Sequence, residues 1–151
     1  MNRRLVQLIQ LLELKQEATR KAYSDLLKAQ EQFTQNKMRH EQLTGFRLDY
    51  IHQIEVIGQE GTTIDRIRNR LNFINHLEAA IGQLNGLLAQ LAKARSQAEL
   101  FYKNAKISEE GVVKLIERAK KDEELKLQRR EQKESDEYAQ KQWHGKKNND
   151  K

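Results

Sequence analysis

Four histidines, His40, His52, His76 and His144, are the side chains best suited to holding a transition metal, and none stands at zinc-type spacing to another or to a carboxylate. Cysteine is absent, which removes thiolate ligands, thiol nucleophiles and disulfides and fits a reducing compartment. Carboxylates are plentiful, but they alternate with basic residues along faces that meet water, where nothing would raise a pKa for acid or base work. No Gly-rich loop ending in Lys-Ser or Lys-Thr offers a phosphate cradle. The chain is therefore expected to be no enzyme and to need no cofactor or metal. What remains is recognition chemistry, and the side chains that stand out for it are Phe46 and Phe73.

Both phenylalanines must be positioned by long helices. Proline is absent from all 151 residues, and Leu, Gln, Lys, Glu, Arg and Ala, all good helix formers, dominate. With 33% charged residues and a mean hydropathy of -0.92, the chain is too polar to fill one compact core. Its apolar residues instead recur with a period of 3.5. Taking Leu5 as heptad position a, the a and d positions run from Leu5 to Ile57 and are mostly apolar, with Lys15, Thr19, Asn36, His40 and Arg47 among the exceptions. The polar pair Asn36 and His40 could help to fix the register.

The pattern breaks at "GQEGTT", where Gly58 and Gly61 read as helix stops and the hydroxyl of Thr62 or Thr63 as the next cap. A second seam, again mostly apolar, then runs from Ile67 to Ala119. Two seams of about 53 residues flanking one short turn predict an all-α fold, a long antiparallel two-helix coiled-coil hairpin of roughly 80 Å at 1.5 Å per residue. Beyond Ala119 the same positions are Glu123, Lys126, Arg130, Lys133, Glu137 and Gln140, so the seam ends while helix-forming residues continue. The C-terminal helix should overhang its partner. The expected organisation is a single hairpin over 1–151, with helix 1 at 2–57, a turn at 58–63, helix 2 at 64–143 and a disordered basic tail at 144–151.

Phe46 and Phe73 both fall at position g, beside the seam. For a turn centred near residue 60 they come nearly level. Antiparallel packing sets the g row of one helix beside that of the other, so the two rings are expected on one flank. Leu11 and Ala18 on the first helix, and Ala80, Leu87, Ala94 and Phe101 on the second, extend that row. These residues either widen the seam or form a docking surface, since a two-helix structure has no third layer to cover them. Gly82 and Gly86 form a G-x-x-x-G at outward positions, so the usual helix-packing role of that motif does not apply.

Four stretches in order, "LIQLLELK", "LTGFRLDY", "NFINHLEAAI" and "SDEYAQKQ", together resemble the flagellar export-apparatus FliJ family across almost the whole chain. The resemblance implies an antiparallel coiled coil similar to the central stalk of rotary ATP synthases, acting with a hexameric flagellar export ATPase. It implies that the open end, carrying both termini, enters the ATPase ring, with Arg3, Arg4, Arg129, Arg130, Lys133 and Tyr138 as contacts. It also implies that mid-hairpin residues meet the cytoplasmic part of an export-gate membrane protein. Carried over by position, these are Leu43, Phe46 and Tyr50 on the first helix, with Phe73, Leu77 and Ala80 on the second. Escort of export chaperones is a further implied role. The chain departs from the family pattern at Asp49, where Glu is frequent, and at Leu84, where a polar residue is common.

The net charge of +6 divides into +1, +3 and +2 over residues 1–60, 61–119 and 120–151, a mixed pattern rather than a basic stripe. Nucleic acid is therefore not an expected partner. No run approaches the roughly 18 apolar residues of a membrane span, and "MNRRLVQLIQ" lacks the features of a signal peptide. A cytoplasmic protein without membrane insertion, held at the inner membrane through the export apparatus, is the expectation. The alternatives are the equivalent stalk of a virulence-type secretion system and a general coiled-coil scaffold or homodimerising adaptor.

Overall fold

A computed structural model describes residues 2–149, and their side chains through Lys146. It contains two helices, α1 (Arg3–Glu60) and α2 (Ile64–Asn149), which pack against each other as a helical hairpin. Among the described residues neither helix has a stretch long and apolar enough to cross a membrane. Asn2 opens α1: its side-chain oxygen accepts the Arg4 N–H at 3.0 Å, and its carbonyl accepts the Val6 N–H at 3.1 Å. Gly61 closes α1 with φ of +81°, a left-handed conformation that favours glycine over any residue with a Cβ. At the start of α2 the Thr63 carbonyl accepts the Ile67 N–H at 3.4 Å, and Asp65 places a carboxylate in the first turn.

These boundaries differ from the expected ones in physical detail. Gly58 lies inside α1, because a glycine alone does not end a helix when its neighbours keep their hydrogen bonds; the turn shrinks to 61–63. The Thr62 hydroxyl, one of two expected caps, is buried without a hydrogen-bond partner. At the other end α2 continues through Asn149, past the expected limit of 143, as a single glycine at 145 does not by itself end a helix. Asp150 and Lys151, the last of the expected tail, lie outside the described residues.

Cα packing divides the chain into two compact units. The first joins the chain up to Thr19 with Ala105 onward. Its core is Leu5, Val112, Ile116 and Ala119, with Leu8, Ile9 and Leu12 packed against them. Asn2 reaches α2 here, its amide nitrogen donating to Glu123 at 3.0 Å. Thr19 is the buried polar residue; its hydroxyl lies 2.9 Å from the Lys15 carbonyl and 3.3 Å from that of Ala105 on α2, and its single proton serves one of them at a time.

The second unit, Arg20–Asn104, buries Ala22, Leu26, Ile74, Leu77 and Leu84. Tyr23 meets Tyr102 at 5.4 Å between ring centroids, and the Arg95 guanidinium lies 4.2 Å over the Phe33 ring. Asn36 does not reach across to set the register. Its amide donates back to the Gln32 carbonyl at 2.8 Å, which satisfies it within α1. In both units every a and d position of the heptad reading, from Leu5 to Ile57 and from Ile67 to Ala119, is buried or half-buried.

Candidate docking flank and terminal surface

On a helical wheel position g stands next to d, and position e next to a, so a two-helix hairpin has a d/g flank and an a/e flank. The two differ in the second unit. On the a/e flank Arg47 pairs with Glu78 at 3.1 Å and Tyr23 covers Tyr102; Gln30, Thr44 and Ile51, all at e, are half-buried. That is the flank on which the seam widens. The d/g flank stays open, with Phe46 52%, Phe73 43%, Leu87 40% and Phe101 68% exposed. Ala80 in the same row is half-buried, and on the a/e flank Tyr23 and Leu71 are each 48% exposed, so the two flanks differ in degree.

Tyr50 and Phe73 meet on this flank at 4.5 Å between centroids, tilted by 35°. Tyr50 with Phe73, Arg47 with Glu78 and Tyr23 with Tyr102 are each centred near residue 62. The expected centre near 60 is thus too early, because α1 runs on through Gly58. Phe46 comes level with residues beyond Phe73 by about 7 Å along the axis at 1.5 Å per residue, so Tyr50 takes the place opposite Phe73 that Phe46 was expected to occupy. Phe46 still lies on the same open flank.

Of the other expected gate residues, Leu77 is buried, and Leu43 and Ala80 are half-buried. Leu43 and Ala80 line one shallow groove of about 270 Å³ with Arg39, Gln83, Leu84 and Leu87. Heptad reasoning passed over Arg39 because a charged residue at g is ordinary for a coiled coil; the absence of any acid one turn away was the available signal. Further along the flank a second hollow lies between Ala22, Asp25, Ala98 and Phe101. The flank thus carries two shallow, open hollows among exposed apolar side chains.

At the terminal end, a hollow of about 400 Å³ brings Arg4 and Arg129 together with Asn2, Asp122 and Glu123. Arg3, Arg130 and Lys133 are exposed, and Tyr138 is 64% exposed with its hydroxyl accepting from the Gln142 amide at 2.9 Å. Of the six residues expected at this end, the hollow gathers only Arg4 and Arg129. Every side chain of α2 from Lys120 through Lys146 is exposed. Among the described residues no group of three or more His, Asp and Glu side chains is arranged to hold a metal.

A family model described as flagellar FliJ protein matches residues 4–148. The chain belongs to the flagellar FliJ family. No curated protein and no solved structure matches it. Family membership makes the protein a component of the flagellar export apparatus, in a family that is non-catalytic.

Proposed function

We propose that this FliJ-family protein is a non-enzymatic coupling stalk, which binds the hexameric export ATPase through its terminal end and the cytoplasmic part of the export gate through the open d/g flank. The observation that carries the reading is the helix beyond Lys120, exposed at every described side chain although its composition favours helix throughout. An isolated, unpacked helix is marginal in water, so such a stretch is best explained by a partner that surrounds it. Its charges alternate in sign, which suits many weak, salt-sensitive contacts rather than one locked position. Arg3, Arg4, Arg129, Arg130, Lys133 and Tyr138 make these contacts. On the flank, Phe46, Tyr50 and Phe73 anchor the gate, with Leu43, Leu77 and Ala80 shaping the surface between them. Export chaperones use the protein as an escort. Through these contacts the protein is held at the inner membrane.

Mixing the purified protein with a hexameric export ATPase tests the terminal contact. The expected result is co-migration and stimulated hydrolysis, both weakened at high salt. Neither effect, together with a concentration-dependent dimer, would favour the homodimerising adaptor instead. For the flank, Phe46→Ala with Phe73→Ala should leave helicity intact and weaken gate binding at least about tenfold, as expected for truncating two aromatic anchors; unchanged affinity removes the flank from the gate assignment.

A further inference from the structure

The middle of the open flank carries little charge. Between residues 32 and 46 of α1 and residues 73 and 94 of α2, the outward-facing g and c positions hold Gln32, Gln35, Gln42 and Phe46 on one side and Phe73, Ala80, Gln83, Leu87, Gln90 and Ala94 among those on the other. Arg39 is the one residue in this set with a formal charge at neutral pH. In a chain with 33% charged residues, a single arginine on such a face is unusual.

Arg39 also lacks a counter-charge. One turn away along α1 stand Gln35, Asn36, Gln42 and Leu43, and across the groove stand Ala80, Gln83, Leu84 and Leu87, none of them acidic. Arg47, two turns on, shows the contrast: it faces the other flank and is paired with Glu78. Arg39 is exposed and makes no ion pair among the described residues. Arg39 lines the shallow groove together with the apolar side chains of Leu43, Ala80, Leu84 and Leu87. At about 270 Å³ the groove is smaller than the roughly 300–1,000 Å³ of small-molecule sites and has the size to take one or two side chains.

We infer that this groove receives an amphipathic segment of the gate protein that carries an apolar anchor and, about one turn from it, a carboxylate paired with Arg39. The inference rests on the gate reading and adds its charge selectivity. Apolar contact with Leu43, Leu84 and Leu87 excludes water from the groove, and there a planar guanidinium without an internal competitor forms a two-pronged pair with a carboxylate. A basic segment would instead meet an unscreened like charge, so Arg39 discriminates among apolar partners that the rest of the flank would accept alike.

The test measures binding of the full-length protein to the cytoplasmic part of the gate protein at low and high salt, for wild type, Arg39→Gln and Arg39→Glu. All three residues favour helix, and circular dichroism at 222 nm checks that the fold is kept. The expected result is a loss of about fivefold for Arg39→Gln and about twentyfold for Arg39→Glu at low salt, with the salt dependence of wild type much reduced in Arg39→Gln. Replacing the matching gate carboxylate with Lys should restore binding to Arg39→Glu. Wild-type binding that Arg39→Glu leaves within about twofold overturns this inference alone. A gate protein that does not bind wild type at all overturns the gate reading and this inference with it.

Discussion

Asn2 performs two jobs with one amide: its oxygen caps α1 and its nitrogen bonds Glu123 on α2. Asn2→Ala should lower stability by about 1 kcal/mol, the usual cost of a lost cap, read as a lower urea midpoint with an unchanged slope. Arg47 and Glu78 form a more conspicuous contact that matters less, because both side chains are more than a third exposed. Glu78→Gln is expected to change stability by no more than about 0.5 kcal/mol in the same measurement. At this scale the sequence was legible where period decides. Leu5, Leu26, Leu77 and Ile116 were assigned to the seam by spacing, and all are buried. It was not legible where a polar side chain chooses between local and distant partners: Asn36 at a seam position turned back to Gln32, a choice that depends on rotamer and not on spacing.

Among the elements, the helices owe their length to composition and their ends to single residues. Gly58, Gly82 and Gly86 all occupy helix positions where an added Cβ would meet nothing within 4 Å. Gly82→Ala with Gly86→Ala should therefore stabilise the protein by about 1 kcal/mol per site through helix propensity alone, seen as a higher denaturation midpoint. Gly61 has the same open surroundings but a left-handed backbone, so Gly61→Ala should destabilise by roughly 1–2 kcal/mol. Sequence reasoning found both Gly58 and Gly61 as stops and had no means to separate them, because the difference lies in φ. That ambiguity moved the expected centre of the turn. The shift is small, yet it decides which aromatic faces Phe73. The candidate flank was legible as a row of g positions, whereas the ring that pairs within it, Tyr50, emerged only from the folded chain.

For the whole molecule, family membership and helical hairpin agree: a component from a non-catalytic export family is built here as two long helices with much of their surface open. The seam holds α1 and α2 together, and the d/g flank and the helix beyond Lys120 lie outside it. Removing residues 127–151 takes away side chains that are exposed at every described position, through Lys146, and preserves the Asn2–Glu123 bond. This truncation is expected to leave the melting midpoint within about 2 °C of wild type, since exposed changes away from such contacts are nearly neutral. The same truncation should abolish ATPase stimulation. A large fall in the midpoint would mean that the terminal helix belongs to the fold rather than to a partner.

Trp143 is the only tryptophan in the chain; it lies near the far end of α2, exposed, with its indole edge-on to the His144 ring at 5.4 Å. Its emission is consequently blind to the seam and tuned to the surroundings of the terminal helix. Heating that separates the seam should scarcely move the spectrum, while enclosure of the helix by another protein should shift it to shorter wavelength. The chain carries its own optical label for telling docking apart from unfolding.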